Sequence, residues 1–196
     1  MKVKKILVGI LLLVSTITMQ AQISKGDLFV APTLGLNIAS INMEGTSSIY
    51  GVVIGATGEY GINNKMSLSA SALFSMQGEK WDSYDDSKDR LNYLNIPLTV
   101  NYYVWKGLSF HVGLQPGVLL SAKQSYDGES ESIKEYTNSF DISLPFGVSY
   151  CYNNIEMSLR YALGVTSAFK DEVIESGTPS NRVASIQLKY KFKLNK

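Results

Sequence analysis

Apolar and polar residues alternate one by one over long stretches of the chain, most clearly between Leu91 and Ala122. Every second residue from Leu94 to Val104 is apolar or aromatic, and a matching run from Leu108 to Leu120 follows after only Trp105-Lys106-Gly107. A period of two places alternate side chains on opposite faces of a β-strand. These two runs therefore predict a hairpin of long strands.

The same alternation recurs in six further runs, so the sequence predicts eight strands. Short turns are predicted at Asn63-Asn64, Trp105 to Gly107 and Asn153-Asn154. Longer polar loops are predicted at 41–48, 78–89, 123–138 and 169–181, and they alternate strictly with the short turns. This asymmetry is typical of outer-membrane barrels, which have short periplasmic turns and longer loops outside.

The composition of the polar face separates a membrane barrel from a soluble one. A water-facing strand surface usually carries many Lys, Glu and Arg residues, whereas this face is mainly Ser, Thr, Gly, Asn and Gln. Small polar side chains suit the crowded lumen of an eight-stranded barrel, and the runs are long enough for tilted membrane strands. We therefore expect an all-β fold, an eight-stranded antiparallel transmembrane β-barrel with up-and-down meander topology, rather than a secreted soluble barrel.

The first residues have the pattern of a secretory signal. Lys2, Lys4 and Lys5 precede an apolar centre, and Ala21 is a small residue suited to cleavage. This predicts a signal peptide at 1–21 and a barrel domain at 22–196, with both termini periplasmic. Because Gln22 stands where a lipoprotein needs cysteine, no lipid anchor is expected.

Charge and hydropathy narrow the possible classes further. A mean hydropathy of +0.01 excludes a helical membrane bundle. Removal of the signal leaves 15 basic and 17 acidic residues, which makes nucleic acid an unsuitable partner. The single cysteine, Cys151, allows no internal disulfide, so strand pairing and burial must hold the fold.

Several ionisable residues fall on the polar face and would point into the lumen. Charges in a narrow lumen must be paired. We expect them to form a structural network of hydrogen bonds and ion pairs, with a ligand or ion path as the alternative. Glu156 and Arg160 lie four residues apart on one strand, and Asp141 and Lys189 are equal candidates as their cross-strand partners. The predicted lumen residues are Glu59, His111, Asp141, Glu156, Arg160 and Lys189.

Tyrosines cluster near the predicted strand ends, where aromatic rings form interfacial girdles around membrane barrels. The predicted interfacial aromatics are Tyr50, Tyr60, Tyr102, Tyr150, Tyr152 and Tyr190.

Two weak chemical signals have simpler explanations. His111 and Ser109 share a face, but a catalytic pair also needs an orienting acid and access to substrate. An acidic group could bind calcium, but its spacing matches no calcium loop, so a solvated loop is expected; its members are Glu79, Asp82, Asp85, Asp86 and Asp89. No enzyme activity, cofactor or metal is therefore expected.

Four prolines lie within predicted strands, where the missing N–H normally argues against a central position. They are interpreted as bulges or bends, at Pro32, Pro97, Pro116 and Pro145.

Several motifs resemble one family over nearly all of the mature chain. They are Tyr93 to Leu98, Tyr102-Tyr103, Gly113 to Gly117, Leu119 to Lys123, Asp141, Gly147, Arg160 to Gly164, Asn181-Arg182 and Tyr190 to Phe192. These residues resemble the PorT-like outer-membrane β-barrel domain of Bacteroidetes. The resemblance implies a barrel in the outer membrane of such a bacterium, and the family's namesake is implicated in protein secretion.

The expected function is that of a non-enzymatic surface protein with a structural or interaction role. Trp81, Tyr84, Tyr126 and Tyr136 would supply contacts from the loops. Expected partners are outer-membrane lipid, the barrel-assembly machinery and an envelope or secretion-system protein. A narrow pore or small-ligand binder is the first alternative, and a lipid-modifying envelope enzyme is the second.

Overall fold

The structure, a computed structural model, describes residues 23–43, 45–81, 87–126, 129–170 and 179–195. In these ranges no helix has the length and apolar content needed to cross a membrane. The strands are β1 (Leu28–Ile41), β2 (Thr46–Asn63), β3 (Met66–Trp81), β4 (Lys88–Asn95), β5 (Leu98–Trp105), β6 (Leu108–Tyr126), β7 (Glu129–Ser132), β8 (Phe140–Tyr152), β9 (Ile155–Gly164), β10 (Asn181–Tyr190) and β11 (Phe192–Lys193).

The strands form a closed antiparallel ring with eight positions, which confirms the predicted barrel. Successive positions pair along the chain, β4 and β5 share one position, and β10 and β11 share another. The ring closes where β1 pairs with β10, from Thr33 opposite Lys189 to Ile41 opposite Asn181. Closure leaves no unpaired edge in the ring, as a hydrocarbon environment requires.

The four in-strand prolines were expected to mark bulges or bends, and none of them shifts the register of its strand. Pro97 separates β4 from β5, yet both pair with β3 and β6 in one continuous register. Its carbonyl still accepts a hydrogen bond from the Ser71 N–H, and the Pro116 carbonyl accepts one from Ile96. Register shifts occur elsewhere, for example where Asn92 and Tyr93 pair with Ser121 and Leu119. The prolines therefore remove single donors without changing the register.

All four predicted long loops overlap strands. In the 41–48 stretch β1 continues to Ile41 and β2 begins at Thr46, and in the 169–181 stretch β10 begins at Asn181. The stretch from Gly78 to Arg90 was expected to be a solvated loop, but β3 continues to Trp81 and β4 begins at Lys88. In the 123–138 stretch, β6 continues to Tyr126 and β7 pairs with it. These loop predictions are wrong because the hydrogen-bonded ladder continues beyond the apolar part of the strands. The sheet therefore extends past the barrel at its loop end.

Burial separates the two faces of the barrel as the alternation predicted. Outward apolar side chains such as Leu34, Ile54 and Leu188 are exposed on the barrel surface. The inward positions are filled by hydroxyl and amide side chains; for example, Thr57 lies within hydrogen-bonding distance of both Thr33 and Ser71. Towards the loop end the interior becomes apolar, in a cluster formed by Ile41, Leu91, Tyr93, Leu119, Ala122, Ala168 and Phe169.

Both described ends of the chain lie at the short-turn end of the barrel. The Gly26 N–H donates to the Gly61 carbonyl, and Asn195 Nδ2 donates to the Gly26 carbonyl. Ile23 is buried there, beside a pocket of about 410 Å³ at the mouth of the barrel. The predicted signal peptide at 1–21 lies outside the described residues.

Candidate functional site

A cluster of four charged residues and one tyrosine fills the lumen at the short-turn end; it comprises Glu59, Tyr103, Glu156, Lys189 and Lys191 and is called the charge cluster below. Glu59 lies on β2, Tyr103 on β5, Glu156 on β9 and Lys189 on β10, and Lys191 lies between β10 and β11. All four charged side chains are buried. The cluster contains two acids and two cations, so its formal charges balance.

Lys191 joins the two acids of the charge cluster. Its Nζ lies 3.4 Å from Glu156 Oε2 and also forms an ion pair with Glu59 Oε2. Nζ donates to the Tyr103 hydroxyl at 3.2 Å, and it lies 5.0 Å from the centre of the Phe29 ring. One ammonium group therefore contacts residues of four strands, β1, β2, β5 and β9.

The remaining contacts hold the two carboxylates in place. Lys189 Nζ donates to Glu156 Oε1 at 2.9 Å. Glu59 Oε1 accepts hydrogen bonds from the hydroxyls of Ser67 and Tyr103. A buried charge is costly unless it is paired and hydrogen-bonded, so these contacts account for the presence of four charged groups in so narrow a space.

Asp141 belongs to a second, separate group nearer the loop end. Its carboxylate accepts hydrogen bonds from Ser143 Oγ at 2.7 Å, Asn181 Nδ2 at 3.2 Å and Thr166 Oγ1 at 3.4 Å. Asn181 also donates to the Tyr93 hydroxyl at 3.4 Å. Of the two partners proposed for Glu156, the structure therefore selects Lys189 and not Asp141.

His111 pairs with Ser149 rather than with the Ser109 suggested by the sequence. The Ser149 hydroxyl lies 3.3 Å from His111 Nδ1, and His111 Nε2 has no hydrogen-bond partner in the described residues. Both residues are buried inside the barrel. Among the described residues no carboxylate is hydrogen-bonded to the imidazole, and a catalytic pair would need such an acid for its orientation.

Arg160 occupies the middle of the lumen. It borders a cavity of only about 20 Å³, together with small polar residues such as Asn37, Ser75 and Gln187. Its Nε and Nη1 atoms have no hydrogen-bond partner in the described residues. A space of this size holds about one water molecule, so the described side chains fill the centre of the barrel.

A pair of carboxyl groups lies inside the sheet extension at the loop end. Glu79 on β3 and Asp89 on β4 are directly opposite each other, and both are buried. Neither oxygen of Glu79 has a hydrogen-bond partner of normal geometry among the described residues, whereas Asp89 Oδ2 accepts from Trp81 Nε1 at 3.0 Å. The predicted solvated loop is therefore wrong for these two acids.

The carboxyl pair lies beyond the membrane-spanning part of the strands. Arg90 on β4 and Lys123 on β6 both face outward, and their backbones are opposite each other in the sheet, one row closer to the barrel than the carboxyl pair. Charged side chains are expensive in hydrocarbon, so the hydrocarbon ends before this row. Burial, opposed by the Thr46 hydroxyl and reinforced by the Asp89 charge, raises the pKa of Glu79 to about 7. Burial also raises the pKa of Asp89, against hydrogen bonds from Trp81 and Gln124.

Five of the predicted interfacial tyrosines lie near the short turns, and Tyr50 lies on the loop side of the barrel, opposite Ile38. The rings of Tyr50, Tyr60, Tyr102, Tyr152 and Tyr190 are exposed on the outer face, and Tyr150 is half-buried. Whether they contact the membrane interface remains a prediction.

Sequence reasoning placed all six lumen residues in the interior but missed three residues that matter to the clusters. Lys191 and Tyr103 were on the inward face by alternation, and that parity was the signal that could have identified them. Glu79 was assigned to a loop. No group of three or more metal-ligating side chains is present in the described ranges; Asp82, Asp85 and Asp86 lie outside them.

Comparison with known proteins agrees with this geometry. The family described as outer membrane protein β-barrel domain matches residues 20–170. The chain belongs to this family. The protein is therefore an outer-membrane β-barrel. No curated protein matches the sequence significantly.

Solved structures of outer-membrane barrels share the fold. The Neisserial surface protein A matches with a TM-score of 0.55 and 14% identity, over 84% of this chain and 97% of that one. The attachment invasion locus protein Ail of Yersinia pestis matches with a TM-score of 0.51 and 16% identity, over 86% of this chain and 99% of that one. At such identities the likeness establishes the fold alone.

Proposed function

We propose that the protein is a non-enzymatic, non-conducting barrel that anchors an interaction surface in the outer membrane. The observation that carries this proposal is the contrast between the two parts of the molecule. The described side chains fill the lumen around a cavity of about 20 Å³, while the sheet continues at the loop end beyond the outward apolar side chains. A filled lumen suits anchoring, and an extended sheet suits presentation to a partner.

The loop end offers polar and aromatic contacts. Tyr126 and Tyr136 are exposed, and Arg90 and Lys123 add positive charge on the outward face. Trp81, expected to be a loop contact, is instead half-buried in β3 and bound to Asp89; Tyr84 lies outside the described residues. The proposed contact surface therefore centres on Tyr126 and Tyr136.

The cellular setting is part of the proposal. We infer that residues 1–21 are a signal peptide, that both termini are periplasmic and that the loops face outside the cell. The PorT-like motifs support a Bacteroidetes source, assembly by the barrel-assembly machinery and a secretion-system protein as one partner to test. A solved complex of Ail contains the heparin analogue sucrose octasulfate, which makes that sulfated sugar a second probe, directed at the outward-facing Arg90 and Lys123.

Partner capture tests the interaction role. The full-length barrel is cross-linked in the outer membrane and purified, in parallel with the double variant Tyr126→Ala/Tyr136→Ala and the control Tyr152→Ala at the opposite end. We expect the loop-end variant alone to lose a stoichiometric partner, with all three proteins showing the same boiled-to-unboiled gel shift. Equal capture by the loop-end variant would contradict the proposed surface.

Planar-bilayer recording tests the filled lumen. We expect the purified barrel to give no steady single-channel current, because side chains occupy the path. A steady current would favour the pore alternative. A small-ligand role has one observation in its favour, the pocket of about 410 Å³ at the short-turn mouth, and would be supported by a stoichiometric molecule released on unfolding.

A further inference from the structure

A groove of about 750 Å³ crosses the outward face of the barrel, and almost all of its lining is apolar. One row of paired residues runs along it, with Tyr50 opposite Ile38, Ile38 opposite Ala184, and Ala184 opposite Tyr161. Ala184 is a small side chain between large ones, so the surface is depressed at this point. The inward-facing residues His111 and Arg160 also border the groove, between the outward side chains.

Large aromatic side chains form the two ends of the groove. Tyr50 is 84% exposed and stands out from the surface at one end. At the other end Phe146 lies opposite Tyr161, with ring centres 5.6 Å apart. The lining extends across six neighbouring strand positions, from Tyr50 on β2 to Phe110 on β6, a length that suits an extended hydrocarbon chain.

A cation stands beside the groove on the side facing the loop end. Arg182 is two residues from Ala184 on β10, and it shares the outward face at a separation of roughly 7 Å. Its paired neighbours are Ser40 and Leu163, and neither is acidic. Arg182 is half-buried, and none of the ion pairs found within the described ranges involves it. A guanidinium at the edge of an apolar surface is suited to bind phosphate.

We propose that this face is a binding site for one phosphorylated membrane lipid, with its phosphate on Arg182 and one acyl chain in the groove at Ala184. An acyl chain that moves from the bilayer into the groove gains little free energy, because both surroundings are apolar. The groove alone therefore gives little selectivity. The charge-assisted hydrogen bonds to phosphate supply the preference. The inference rests on the membrane location of the barrel; the proposed orientation adds only that the lipid comes from the outer leaflet.

Native mass spectrometry of the full-length folded barrel tests this site with two matched probes. Phosphatidic acid carries the phosphate and the chains, and diacylglycerol carries the same chains alone. We expect one phosphatidic acid to be retained per barrel under conditions that remove diacylglycerol. Arg182→Gln should weaken this retention on the order of tenfold, the effect of losing one charge-assisted contact, whereas Arg90→Gln should not.

A second pair of variants tests the groove separately from the charge. Ala184→Phe fills the depression and should reduce retention, while Ala72→Phe makes the same change on the outward face of β3 and should leave retention unchanged. Equal retention by wild type and Arg182→Gln would overturn the proposal. The proposal would also be overturned if Ala184→Phe and Ala72→Phe reduced lipid retention equally, or if phosphatidic acid and diacylglycerol were retained equally. Boiled and unboiled gels check that every variant is folded.

Discussion

The carboxyl pair at the loop end leads to a stability that falls as the pH rises. Glu79 is fully buried opposite Asp89, and its pKa is raised from 4.5 to about 7. The folded state therefore binds the Glu79 proton more tightly than the unfolded state does. The contribution of Glu79 is most favourable below pH 4.5, decreases as the pH rises towards 7 and then levels off.

The size of the effect follows from the shift. Each pKa unit corresponds to about 1.4 kcal/mol, so a shift of this size destabilises the fold by roughly 3 kcal/mol at high pH. The raised pKa of Asp89 has the same sign. Glu79→Gln keeps the shape of the protonated acid without its charge, so this variant should lose the decrease between pH 4.5 and 7 that belongs to Glu79.

Trp81 provides the readout because its indole N–H donates to Asp89. In a Trp105→Phe background, urea unfolding is followed by Trp81 fluorescence at several pH values from 4 to 9. We expect the stability difference between Glu79→Gln and its parent to grow by roughly 3 kcal/mol over that range. Glu129→Gln, on the exposed strand β7, is the matched control. The same pH dependence in Glu79→Gln and its parent would refute the reasoning.

Two further substitutions test the lumen. Lys191→Met removes the cation that contacts both Glu59 and Glu156, so we expect the free energy of unfolding to fall by about 3–5 kcal/mol. Urea titrations read by the gel shift measure this change. A decrease no larger than that of Lys193→Met, at a partly exposed ion pair, would contradict the prediction. Gly147→Ala would place Cβ 2.1 Å from the Leu159 carbonyl oxygen and should cost about 1–3 kcal/mol, whereas Gly58→Ala, whose Cβ meets nothing closer than 3.8 Å, should be nearly neutral.

The alternation of side chains was sufficient to predict the barrel and the direction of its side chains. The alternation placed Glu156 and Lys189 in the lumen, because a shift of the strand register by one residue would turn every outward apolar side chain into the lumen. It could not identify the partner of each charge, since pairing depends on register and on side-chain reach across the lumen. Lys191 shows this limit, because it contacts Glu59 on the other side of the closure.

The loop prediction failed at Glu79 for a different physical reason. A run of acids is usually solvated, and the alternation of apolar residues ends at Gly78, which has a φ of +133°. Gln77 and Glu79 are nevertheless both buried, and Trp81 donates to the inward-facing Asp89. Backbone pairing can extend beyond the apolar part of a strand, and composition alone does not reveal it.

The pairing of β1 with β10 has a consequence for how the chain folds. It joins Thr33 to Lys189 and Ile41 to Asn181, so the contact that closes the ring is also among the most distant in sequence. Such contacts carry a high loop-closure entropy and form slowly. Until β10 arrives, β1 and β9 present unpaired edges that hydrocarbon does not tolerate. Insertion and closure must therefore proceed together, and a chain that ended before Asn181 would remain an open sheet prone to pair with other chains.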